Sequence, residues 1–113
     1  MKTVTNRPSF QGDVMIRRID AIPTSAKKSD PVEGRHILAH SETGHHHVIE
    51  SRAADKFIDA TNEFIAWLDV ADDTVLEHLR SFDTHEPYLL PPGKYEVRTA
   101  REYVPEGWRR SAD

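Results

Sequence analysis

The chain has 113 residues, 37% of them apolar and 30% charged, with a formal net charge of −4 and no cysteine. That is one domain's worth of chain with a thin core and a well-solvated surface. It excludes disulfides, thiolate metal sites and a cysteine nucleophile, and the acidic balance argues against general nucleic-acid binding. No apolar run approaches the roughly 18 residues of a membrane helix, and Met1–Arg7 lacks a signal-peptide core. The cytoplasm is the expected compartment.

In chain order, residues 1–9 read as a loose, flexible arm. Gln11-Gly12-Asp13 reads as a turn and Val14–Ile19 as a strand. Residues 23–34 are poor in apolar side chains and rich in Thr, Ser, Lys, Asp, Pro and Gly, the composition of an exposed, mobile loop. Arg35–His40 and His45–Glu50 then read as two short strands around Ser41-Glu42-Thr43-Gly44. A four-residue loop sets His40 opposite His45 and Leu38 opposite His47. Because strand side chains alternate, His36, Leu38, His40, His45, His47 and Ile49 share one face.

That face carries the chemistry. His45 and His47 point the same way with Cα atoms roughly 6.6 Å apart, two strand rises. Two imidazoles at this spacing can hold one metal ion, and His40 across the pair can add a third nitrogen; zinc, iron or nickel suits such a set. The competing reading is a solvated or pH-sensitive histidine face that contacts a protein and holds no metal.

Ser51–Asp55 reads as a loop. The next segment supports two patterns, a helix through Ala54, Phe57, Ile58, Thr61, Phe64, Ile65 and Leu68, or a hairpin of Lys56–Asp59 and Phe64–Val70 around Ala60–Glu63. The aromatic and branched residues favour the hairpin, with Trp67 as packing. Asp72-Asp73 makes a further turn and Thr74–Leu79 a further strand. Ser81–Pro87 holds His85 between acidic neighbours. His85 can complete a metal site or act as a general base oriented by Asp83 or Glu86, and the alternative is a capped turn. Pro91-Pro92-Gly93 is a tight turn, with Gly93 supplying an unusual φ. Lys94–Arg98 alternates cleanly, Tyr95 and Val97 inward. The tail, 100–113, carries Arg101, Tyr103, Trp108, Arg109 and Arg110, which pack on the body or bind phosphate.

Short strands divided by turns predict an all-β domain over 1–113, a small barrel or sandwich. Thr43-Gly44-His45-His46-His47, Thr84-His85-Glu86-Pro87, Leu90-Pro91-Pro92-Gly93-Lys94-Tyr95-Glu96-Val97-Arg98 and Arg101-Glu102-Tyr103 together resemble a family of small uncharacterised bacterial and phage proteins. The likeness runs from Gln11 onward. It implies that His45, His47 and His85 belong to one pattern, and that residues 56–79 form strands. A fainter resemblance is to the cupin barrel, whose first motif has two histidines one residue apart and then a glutamate. His45, His47 and Glu50 are similar, though Glu50 follows too soon and points away from His47. Pro91-Pro92-Gly93 is similar to the second motif, with Glu96 where that motif has histidine. The expected function is a histidine-lined pocket with His45 and His47 as metal ligands and His40 and His85 completing the set. A small molecule, a protein or a second copy of the chain is the expected partner.

Overall fold

The computed structural model describes residues 1–39, 46–78 and 86–99. The fold is all-β. Eleven strands form among these residues: β1 Lys2–Thr3, β2 Ser9–Gln11, β3 Val14–Ile19, β4 Lys27–Ser29, β5 Arg35–Ala39, β6 His47–Glu50, β7 Ala54–Asp59, β8 Asn62–Val70, β9 Thr74–His78, β10 Tyr88–Leu90 and β11 Gly93–Thr99. A single 3-10 turn, Ser51–Ala53, joins β6 to β7. The strands make two sheets, ordered β1-β10-β9-β6-β5 and β2-β3-β11-β8-β7-β4. They face one another in a sandwich-like fold, and no closed barrel is found among the described residues.

Alternation explains the layering. Val14, Ile16, Leu68, Val70, Tyr95 and Val97 of the six-stranded sheet meet Ile49, Leu76 and Leu90 of the other, all nearly inaccessible to water. Burying such side chains contributes roughly 1.5–3 kcal/mol each. On the outward face of the six-stranded sheet, Glu96 accepts from Arg17 at 3.3 Å and from Arg98 at 3.0 Å. Trp67 lies on the same face beside Glu96 and Phe57, and it is buried.

The 54–70 segment is the hairpin. Its turn is locked by Asp59, whose carboxylate accepts from the Thr61 backbone N–H and hydroxyl, both at 2.8 Å. Two expectations are corrected. Residues 1–9 are no loose arm: β1 runs parallel to β10, and Val4 is in the core and donates to the Leu89 carbonyl at 2.9 Å. Residues 23–34 are largely exposed, as expected, yet Lys27–Ser29 pairs with Lys56–Ile58 as an edge strand. Lysines are common on such edges because they discourage pairing with other chains.

The hairpin register is also corrected in part. His36 pairs with Ile49 and Ile37 with Val48, the register the four-residue loop predicts. A bulge then intervenes, and Ala39, not Leu38, faces His47. Leu38 and Ala39 both reach the core, which strict alternation forbids and an extra residue permits.

The connections sort by end. The chain passes from sheet to sheet through residues 4–8, residues 30–34, Ser51–Ala53, Ala71–Asp73 and Pro91–Pro92, all at one end. The opposite end holds two tight turns of the six-stranded sheet, Gly12-Asp13 between β2 and β3 and Ala60-Thr61 between β7 and β8. Ala39, His46, His78 and Glu86, which flank residues 40–45 and 79–85, lie towards that hairpin end.

Candidate functional site

His47 is the described residue around which the hairpin end is built. It opens β6 and pairs with Ala39 on one side and His78 on the other. Alternation with Ile49 turns its ring into the sandwich, where it is only 4% exposed. The His78 ring lies flat against it, centroids 4.1 Å apart and planes 4° from parallel.

Gln11, at the end of β2 in the other sheet, fixes the state of this ring. Its amide nitrogen donates to the Leu76 and Glu86 carbonyls, each at 3.0 Å, so both amide hydrogens are committed to carbonyls. The amide oxygen therefore faces Nδ1 of His47, at 2.8 Å, as an acceptor. Nδ1 must carry the hydrogen, and in the neutral ring Nε2 then carries the lone pair. Nε2 faces the Asp13 carboxylate, with Oδ1 3.6 Å away. Asp13 follows Gly12, whose φ of 61° in a two-residue hairpin loop matches the II′ pattern.

His36, on the same sheet, is a contrasting case. It is 3% exposed, and its Nε2 donates to the Ala54 carbonyl at 2.9 Å. Its Nδ1 has no hydrogen-bond partner. Nearby, Lys56 donates to the Ile37 carbonyl at 2.6 Å, and burial lowers its pKa from the usual lysine value. These two side chains stitch the edge strand β5 to β7 across the sandwich seam, which is a structural task.

The other expected residues divide. His40, His45 and His85 lie outside the described residues, as does the tail with Arg101, Tyr103, Trp108, Arg109 and Arg110. Glu86 is described: its carbonyl receives Gln11, and its carboxylate pairs with the amino terminus at 3.4 Å. Glu50 and Glu96, the cupin-like glutamates, do not join His47. Glu50 is on the outward face of β6, 3.8 Å from Arg52, and Glu96 is on the far side of the other sheet between two arginines. Among the described residues no three His, Asp or Glu side chains gather as a metal cluster. A groove of about 220 Å³, lined by Arg35, Glu50, Arg52, Asp73 and Glu77 among others, opens beside the outward face of β6, away from the His47 ring.

Gln11, Asp13 and His78 were not visible as site residues in the sequence. Gln11-Gly12-Asp13 reads as a turn and nothing more, and His78 as one residue of a strand. Their signal is the pairing of β6 with β9 and the approach of β2, contacts between positions more than thirty residues apart.

The family model described as a domain of unknown function, DUF8820, matches residues 10–100. The chain belongs to the DUF8820 family. No curated protein and no solved structure matches it significantly. The matched stretch of the DUF8820 domain contains Gln11, Asp13, His47 and His78, together with all the sheet crossings after β2. No helix among its described residues is long and apolar enough to cross a membrane.

Proposed function

We propose that this DUF8820 domain binds a divalent metal ion, zinc, iron or nickel, through Nε2 of His47. His45, His40 and His85 are the proposed sources of the remaining ligands. The observation that carries the reading is the hydrogen bond from Nδ1 of His47 to Gln11. A ligating imidazole typically donates its other N–H to a fixed acceptor, which sets the tautomer and the ring direction. Gln11 meets that description because its own amide hydrogens leave its oxygen no other orientation.

Connectivity supports the same end of the fold. Residues 40–45 join Ala39 to His46, and residues 79–85 join His78 to Glu86, and all four flanking residues lie towards the end marked by His47. A metal is favoured over a bare histidine contact face because His36 and His47 are buried and so present no surface to a protein partner. With one coordination position open, such an ion activates water for attack on a small-molecule substrate; where His45 and His40 complete the ligand set, His85 with Glu86 is instead the proposed proton-transfer pair.

The test is metal analysis of protein purified without a nickel column and then loaded with zinc, iron or nickel in turn. Stoichiometric retention by the wild type, lost in His47→Ala and weakened in His45→Ala, is expected. Wild-type protein that retains none of the three ions overturns the reading.

A further inference from the structure

We propose that the groove between β6 and β9 at the crossing end binds a free basic amino acid, with the ligand's carboxylate on Arg35 and its two cationic groups on Asp73 and Glu77. This site does not depend on the metal reading of His47, and each can fail alone.

The sheet itself makes the groove. β6 and β9 pair through His47↔His78 and Val48↔Glu77, and there the pairing stops. Beyond that point Ile49 and Glu50 pair with His36 and Arg35 of β5, while Val75 and Thr74 pair with Leu89 and Leu90 of β10. The parted strands line the groove of about 220 Å³, Ile49 and Glu50 on one side, Thr74 and Val75 on the other. Two neighbouring strands that cease to pair turn backbone N–H and C=O groups towards the gap, where a polar ligand can meet them.

The two walls differ in charge. Around β6, Arg35 and Arg52 outweigh Glu50 by one positive charge, and Arg52 and Glu50 stand 3.8 Å apart. On the β9 side stand Asp73 and Glu77, two negative charges. Arg35, Asp73 and Glu77 make no ion pair among the described residues. The outward face of the other sheet is different: Glu96 sits between Arg17 and Arg98, and Lys28 is 3.5 Å from Asp55. Its charges answer one another, whereas those of the groove await a partner with one anion and two cations. A free basic amino acid carries that set at neutral pH, as an α-carboxylate, an α-ammonium and a side-chain ammonium or guanidinium.

Size and reach agree with the charges. The volume lies below the roughly 300–1,000 Å³ of drug-sized pockets, which suits a single amino acid. β5 and β9 flank β6, so Arg35 and Glu77 arise from strands two spacings apart, roughly 10 Å. A long basic side chain spans the groove, with Val48 and Val75 beneath its methylene stem. The arginine fork of Arg35 matches a carboxylate in a two-bond geometry.

The experiment titrates chelator-treated full-length protein with L-lysine and with L-arginine in low-salt buffer, following backbone amide shifts by NMR. Saturable shifts are expected at Val48, Glu50, Val75 and Glu77, with a dissociation constant of about 1 mM or tighter. Cadaverine, which lacks the carboxylate, and norleucine, which lacks the side-chain cation, are each expected to bind about tenfold more weakly than lysine. Arg35→Gln weakens lysine about tenfold and removes its advantage over cadaverine, and Glu77→Gln weakens lysine about tenfold and removes its advantage over norleucine. Both side chains are exposed, so the fold is retained, and the rest of the spectrum checks it. Lys28→Gln, on the other sheet, binds as the wild type does. Wild-type protein with no saturable shift at the groove amides up to about 10 mM lysine or arginine overturns the proposal, as do equal shifts with L-glutamate or undiminished binding in both groove variants. Because no metal is present, none of these results bears on His47.

Discussion

The two ends of the sandwich are held together in different ways. At the crossing end the chain itself passes between sheets five times, through residues 4–8, residues 30–34, Ser51–Ala53, Ala71–Asp73 and Pro91–Pro92, and covalent continuity fixes the sheet separation. Backbone bonds reinforce it, from Ala71 N–H to the Ala53 carbonyl at 2.8 Å and from Arg18 N–H to the Thr5 carbonyl at 2.8 Å. At the hairpin end the described ties between sheets run through side chains: Gln11 to Leu76 and to His47, and Tyr88 to the Phe10 carbonyl at 2.9 Å. The end held by side chains also holds His47, a buried imidazole whose tautomer Gln11 sets. A site there can be rebuilt by substitution without breaking the chain's path between the sheets.

The largest expected effect comes from removing the polar hub of the hairpin end. Gln11→Leu strands the Leu76 carbonyl and the His47 Nδ1–H in an interior where Gln11 is only 1% exposed. A loss of about 3 kcal/mol is expected in denaturant unfolding. Hydrogen exchange should accelerate first in β2 and β9, while β8 and β11 near the crossings stay protected. Equal acceleration at both ends would erase the distinction drawn here.

An intermediate effect is expected at the crossing end. Gly93 opens β11 with a φ of 154°, and a Cβ there would meet the Arg18 guanidinium at 2.7–2.9 Å. That guanidinium donates to the Pro92 carbonyl at 2.8 Å. Gly93→Ala is therefore expected to cost about 1–2 kcal/mol, because backbone strain adds to a displaced but flexible side chain. Metal affinity should not change. A variant that folds normally but loses metal would show that the two ends communicate.

The smallest effect is a pH signature of the Ala60-Thr61 turn. The Thr61 backbone N–H and hydroxyl hold the Asp59 carboxyl below its ordinary value of 3.8. A carboxyl depressed in the folded state stabilises above the unfolded value and loses that contribution as pH falls through the folded one. The stability gap between wild type and Asp59→Ala should stay constant from neutral pH down to about pH 5 and close below 3.8. A gap that widens on acidification contradicts the assignment.

Lys94–Arg98 was legible from clean alternation and Val14–Ile19 from its apolar residues after a turn; the segment around 54–70 supported a helix as well as a hairpin, and its aromatic and branched residues favoured the hairpin that Ala54–Asp59 and Asn62–Val70 form. Each needs only its own residues and a nearby turn. Lys2–Thr3 and Lys27–Ser29 were not legible, because two or three polar residues become a strand only when a distant partner, Tyr88–Leu89 or Lys56–Ile58, offers an edge. The site divided the same way. His47 was marked by the spacing of its neighbours. Gln11 and Asp13 were hidden because an amide and a carboxylate around a glycine are ordinary turn chemistry, and their task appears only once a strand more than thirty residues away is laid over them.

The extra residue in β5 has an evolutionary implication. From Arg35 to Ile37 the strand keeps phase with its neighbour, and Leu38 is inserted before Ala39 meets His47. Removing a single codon there would rephase whatever follows on that strand, exchanging inside for outside without altering any remaining side chain. Relatives that differ in length at this one position would therefore differ in which residues they turn towards the imidazole, however alike their neighbouring sequences look.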